Sequence, residues 1–102
     1  MSPVEKYLRS TERGDFKWEC IETIDGYVMY GVAVEGVTLK GREATITKES
    51  DNEFEVDVVL KNGIVYQGEF TYEVIEYRSS RLNARVFAER IIKQDIEKDE
   101  VK

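Results

Sequence analysis

The chain reads as an α+β domain: a short N-terminal helix, a five-stranded antiparallel sheet in meander order, and a C-terminal helix packed on that sheet. Three observations predict it. Two alternating apolar runs, 54–60 and 64–72, flank Asn62-Gly63, the sequence signature of a hairpin. A second pair of alternating runs flanks Asp25-Gly26. Beyond Ser79-Ser80, apolar side chains recur at helical spacing as far as Lys98.

Taken in order, Ser2, Pro3 and Glu5 form a helix start: a cap, a residue suited to the first helical position and a capping-box acid. Val4, Tyr7 and Leu8 give that helix one small apolar stripe, and Gly14 stops it. The first hairpin spans 16–24 and 27–35. A loop of Ile24, Asp25 and Gly26 pairs Phe16 with Val34, Trp18 with Val32 and Cys20 with Tyr30, which gathers large apolar groups on one face. Ile21, Tyr27, Met29 and Ala33 stay on the other. Residues 36–41 read as a loop; its two glycines have phosphate-loop spacing, but Arg42 and Glu43 stand where Lys and Ser/Thr are required. A third strand follows over 42–48, with Ala44 and Ile46 inward, and 49–52 turn into the central hairpin.

The central hairpin has a register that its pattern decides. A two-residue loop would set Leu60 opposite Val65 and Val56 opposite Glu69. A loop of Lys61, Asn62 and Gly63 instead pairs Leu60 with Ile64, Val58 with Tyr66, Val56 with Gly68 and Phe54 with Phe70, so every apolar residue shares a face. Gly63 then takes a left-handed bulge position. Glu53, Glu55, Asp57, Glu69 and Glu73 fall on the opposite face as a candidate acidic interaction surface. Gly31 and Gly68, inside strands, mark bends that would curl the sheet toward a barrel. Residues 74–77 extend the last strand.

On the C-terminal helix, Ala84, Phe87, Ala88, Ile91 and Ile92 make one broad apolar face. Leu82, Val86 and Ile96 lie on the other side. Two apolar faces predict burial twice, on the sheet and at a homodimer interface, with Leu82, Val86, Phe87, Ile91 and Ile96 as the core and dimer residues. Residues 99–102 form a frayed tail of a single domain spanning 1–102.

Composition bounds the function. The net charge is -6, and no His occurs, which removes Ser-His and Cys-His nucleophile pairs, His ligation and the usual neutral-pH base. One Cys excludes a Cys-rich zinc site and an internal disulfide, and reads as a small buried hydrophobe. No apolar run is long enough for a membrane span, and the start lacks a signal-peptide core, so a cytoplasmic location is expected. Abundant Glu, Lys and Arg with few Asn and Gln is a composition that thermophilic proteins favour. Acids alternating along a strand make a row rather than a loop that wraps an ion, so no metal or other cofactor is expected.

The charge is unevenly placed. Arg78, Arg81, Arg85, Arg90 and Lys93 face only Glu89 within 78–93, while the rest of the chain is acidic. These cations, with Tyr72 and Tyr77 nearby, are the candidate nucleic-acid contacts. Leu60 to Phe70, L-K-N-G-I-V-Y-Q-G-E-F, resembles the first hairpin of Sm-like RNA-binding barrels. That family's later Asp and Asn are replaced by Val74 and Arg78, and its second motif is absent; a common turn type writes the same letters. The expected function is a small acidic, non-enzymatic binding module acting through protein contacts, an adaptor or an inhibitor of a basic or nucleic-acid-binding partner. A nucleic-acid-binding protein using 78–93 is the alternative.

Overall fold

The computed structural model describes residues 8–21, 30–73 and 77–100. Its strands are β1 (Leu8–Arg13), β2 (Phe16–Ile21), β3 (Val32–Leu39), β4 (Arg42–Ser50), β5 (Glu53–Val59) and β6 (Val65–Thr71). They form one antiparallel six-stranded sheet in that order, and the helix α1 (Tyr77–Glu100) packs across one face. None of the described helical segments is long and apolar enough to cross a membrane.

The central hairpin has the register its pattern dictates. Val58 opposes Tyr66, Val56 opposes Gly68 and Phe54 opposes Phe70. The Gly63 N–H donates to the Leu60 carbonyl at 3.0 Å, and the Leu60 N–H donates to that of Ile64 at 2.8 Å. Gly63 has φ 90°, a conformation that glycine adopts without steric cost. Phe54, Val56 and Val58 are fully buried beneath the helix.

Several expectations are corrected. The N-terminal helix gives way, over its described residues, to strand β1; Ser2 to Tyr7 lie outside the described part. Gly14 (φ 61°) does not end a helix but opens a two-residue turn with Asp15 that pairs Arg13 with Phe16. A sixth strand results, because β2 carries Phe16, Trp18 and Cys20 to the core and offers its free edge to the preceding segment.

The first hairpin is also out of register. Cys20 opposes Glu35 and Glu19 opposes Gly36, rather than Cys20 opposing Tyr30. Tyr30 and Gly31 (φ 75°) form a turn, anchored by a Gly31 N–H bond to the Lys48 carbonyl at 2.6 Å, so β3 begins only at Val32. Its second half fills the stretch expected to be a loop. The β3–β4 connection is then the pair Lys40 (φ 49°) and Gly41 (φ 83°), both left-handed as a type I′ turn requires. The expected turn at Asp25-Gly26 lies outside the described residues.

The sheet is open, not a barrel, with β1 and β6 at its two edges. The glycines do other work. Gly31 sits in the turn just described, and Gly68 makes room for a ring: a Cβ there would lie 2.8 Å from Phe87. The final strand stops at Thr71 and Tyr77 already belongs to the helix rather than to a strand; the rest of the expected extension, 74–76, lies outside the described residues. Asp99 and Glu100, expected in the frayed tail, are the last helical residues.

The helix meets the sheet through small residues. Ala84, Ala88 and Ile92 are fully buried, and two alanines let the helix backbone approach closely. Phe70, Phe87, Ile91 and Ile96 flank this stripe half-buried. Ala88→Leu should therefore overpack the seam and destabilise the fold by about 1–3 kcal/mol. A urea titration reads this as a lower midpoint; an unchanged midpoint would place the helix on some other row.

Candidate functional site

Pleating sorts the sheet residues onto two faces with opposite chemistry. One face carries Phe16, Trp18, Ala44, Ile46, Phe54, Val56 and Val58 under the helix. No described element covers the other. Across it, Glu12 opposes Lys17, Glu19 opposes Gly36, Thr38 opposes Glu43, Thr45 opposes Asp57, and Glu55 lies between Thr47 and Glu69. Glu53 opposes Thr71 at the end of the same face. Lys17 is the one basic residue among the described strand residues of this surface. Within it, Lys17, Glu19, Gly36, Thr38, Glu43 and Thr45 line a depression of about 450 Å³.

The structure thus brings Glu53, Glu55, Asp57 and Glu69 together, with Glu73 exposed just past the end of β6. Glu12, Glu19 and Glu43 join them. The register of β1 was needed to place Glu12, whereas Phe16, Trp18 and Cys20 inward already imply Glu19 outward. Glu43 was legible, since Ala44 and Ile46 inward imply Glu43 outward. Among the described residues no three of these carboxylates converge as metal ligands would.

Crowding of like charge has a measurable effect on one of them. The negative charge of Asp57, followed by a hydrogen bond with Glu49 and partial burial, pushes the Glu55 pKa above its ordinary value of 4.5. The Gln67 side-chain amide donates to Glu55 at 3.3 Å. One Asp57 oxygen is buried with no hydrogen-bond partner.

Behind the helix-covered face runs a row of ion pairs, and it takes up two of the candidate nucleic-acid contacts. Glu35, whose side chain is fully buried, accepts from Arg81 Nε at 2.9 Å and from Arg85 Nε at 2.8 Å and Nη2 at 2.5 Å. Arg81 Nη2 also donates to the Cys20 thiol sulfur. One turn on, Glu89 accepts from the Trp18 indole at 2.7 Å and from Arg13 Nε at 3.0 Å. Near the C-terminus the polarity reverses: buried Arg42 donates to Asp95 at 2.8 Å and to Asp99 at 2.7 Å. The Asp95 hydrogen bond, with help from Asp99, raises the Arg42 pKa against the desolvation that lowers it.

The remaining candidates are dispersed. Arg90 and Lys93 are exposed, with the Lys93 ammonium 5.9 Å from the centre of the Phe16 ring, and the Arg78 side chain lies outside the described part. Of the expected dimer residues, Leu82 is exposed, Val86 is half-buried, and Phe87, Ile91 and Ile96 pack against the core.

Glu35→Gln should destabilise the domain by about 3–5 kcal/mol, because it removes the buried carboxylate against which the Arg81 and Arg85 guanidinium groups are held. Chemical denaturation tests this; a cost below about 1 kcal/mol, the level of a surface pair, would mean that the triad is solvated. Glu55 gives the opposite sign. With its folded pKa raised, its favourable contribution is complete below 4.5 and is lost as pH rises through the folded value. Glu55→Gln should therefore raise the melting temperature at neutral pH and leave it unchanged at pH 4. Equal effects at both would remove the charge-crowding explanation. No protein-family profile, curated protein or solved structure matches this chain, and the geometry alone carries the functional reading.

Proposed function

We propose that this chain is a small non-enzymatic binding module whose open sheet face docks on a basic partner, as an adaptor or as an inhibitor of a protein that itself binds nucleic acid. One observation carries the reading: an uncovered β-sheet face with Glu12, Glu19, Glu43, Glu53, Glu55, Asp57 and Glu69 against Lys17. Carboxylates spaced along neighbouring strands present a regular negative surface, which steers a cationic partner and fixes its register. Rows of threonine between them, Thr38, Thr45 and Thr47, leave room for long Lys or Arg side chains to reach the acids.

The alternative, nucleic-acid binding through 78–93, is less well supported. Arg81 and Arg85 are bonded to Glu35, leaving Arg90 and Lys93 as the exposed cations of that candidate set among the described side chains.

An NMR titration with an arginine- and lysine-rich peptide tests the proposal. Amide shifts should concentrate on β4, β5 and β6. A variant carrying Glu55→Lys and Glu69→Lys should bind at least about tenfold more weakly, a loss of about 1.4 kcal/mol. Shifts confined to the helix, or affinity indifferent to the charge reversal, would overturn it. Binding of labelled duplex DNA or single-stranded RNA that is lost in Arg90→Ala/Lys93→Ala would install the alternative instead.

A further inference from the structure

The two edges of the sheet are built differently. β1 reads L-R-S-T-E-R, with charged groups of both signs, a composition that discourages strand addition. β6 reads V-Y-Q-G-E-F-T, without Lys, Arg or Pro. Around it Ile64, Val65 and Tyr66 are about half exposed, at 50%, 52% and 48%. Among the described residues no strand pairs with its outer side.

The hydrogen-bond phase of β6 is fixed by its partner. The Leu60 N–H bonds to Ile64 at one end and the Tyr72 N–H to Asn52 at the other. Antiparallel alternation then turns the peptide groups of Tyr66, Gly68 and Phe70 toward β5 and those of Val65, Gln67, Glu69 and Thr71 away from it. These four outward residues are placed symmetrically about Gly68.

We propose that a second copy of this chain pairs with β6 in antiparallel fashion about a two-fold axis through Gly68, joining two sheets into one. The register is self-complementary. Gln67 opposes Glu69 of the copy, so an amide faces a carboxylate and the two Glu69 side chains avoid each other. Val65 opposes Thr71, and every outward N–H and C=O finds a partner. On the helix side Tyr66 opposes Phe70 of the copy in a non-hydrogen-bonded pair, the closer kind, which suits aromatic contact.

Gly68 itself is the reason this centre works. Phe87 lies over it and meets Phe70 edge-on, with centroids 5.5 Å apart and planes at 72°. Two such glycines meeting at the axis bring the two Phe87 rings together and close the half-exposed aromatic layer. The two β5 strands would stand about 14 Å apart, three strand spacings, which accommodates two helices that need about 10 Å. Because both copies carry charge -6, the pairing should tighten as salt screens them.

Sedimentation of the full chain tests this. The expected result is a dimer whose dissociation constant falls with added salt. Gln67→Pro removes an outward N–H and spares the β5 ladder, so it should yield a folded monomer, with circular dichroism confirming the fold. A register test avoids dependence on that variant: chains carrying Gln67→Cys mixed with chains carrying Glu69→Cys should form an interchain disulfide, and neither alone should do so efficiently. A monomer at all accessible concentrations overturns the proposal. So does a dimer that survives Gln67→Pro and fails to cross-link in the mixture, which would move the interface elsewhere, for instance to Leu82 and Val86. Neither result touches the acidic face, whose peptide titration stands independently.

Discussion

Burial of Glu35 sets the terms on which helix and sheet meet. A carboxylate with no solvent exposure survives only if cations are held against it, and here both come from the same helix, one turn apart. That requirement fixes the rotation of the helix about its axis, since Arg81 and Arg85 must point down on the β2–β3 side. With that rotation set, Ala84, Ala88 and Ile92 fall on the sheet, Glu89 reaches Trp18, and Phe87 falls toward β6. Asp95 and Asp99 then arrive over Arg42. The charges run against the helix macrodipole, with arginines toward its start and acids toward its end. Their partners in the sheet account for that: the pairing with Glu35 and Arg42 outweighs a terminal preference of a few tenths of a kcal/mol to about 1 kcal/mol.

A β-bulge makes the arrangement available. The ladder between β3 and β4 shifts between Ala33 and Glu35, leaving Val34 as the extra residue. Both Val34 and Glu35 are buried, which simple alternation forbids. Val34 joins the core while Glu35, opposite Ile46, faces the helix. Trp18 depends on the same seam, because its buried indole N–H needs an acceptor and Glu89 is the one it has.

This history explains what could be read from the chain. The central hairpin was legible to the residue because one register alone puts Phe54, Val56, Val58 and Leu60 with Ile64, Tyr66 and Phe70 on one face, and because only the three-residue loop delivers it. The acidic face of β5 and β6 followed at once. The first hairpin was not legible. Its Asp25-Gly26 signal was strong, but the pairing moved by an odd number of residues, which exchanges the faces of β3. Glu35 lands on the core side by that shift and is the most deeply buried charge described. Arg81 and Arg85 stand out as basic in the sequence for the same reason: their counter-charge, Glu35, lies on a strand whose register the pattern does not give. β1 was read as helix because capping residues at Ser2 and Glu5 are local, whereas the pairing of Arg13 with Phe16 is a contact that local propensity does not register.

The two faces of the sheet answer different demands. On the covered face the buried charges Glu35, Arg42, Arg81 and Glu89 are all paired, because the low dielectric there makes an orphan expensive. On the open face carboxylates are set beside one another with little to neutralise them: Glu55 sits directly across from Glu69 and two residues along its own strand from Asp57. Like charges directly opposite destabilise a strand pair, and on the same face the negative charge of Asp57, ahead of contacts with Glu49, raises the Glu55 pKa. Solubility does not require this arrangement. Thr45 and Thr47 satisfy the same polar surface on the adjacent strand without mutual repulsion, and mixed signs would serve better still, as Glu12 beside Lys17 does at β1. A cationic partner laid across β4, β5 and β6 would relieve the repulsion and lower the Glu55 pKa in the same step. Docking as proposed would therefore be linked to proton release on this face, with relief of the crowding as part of its driving force.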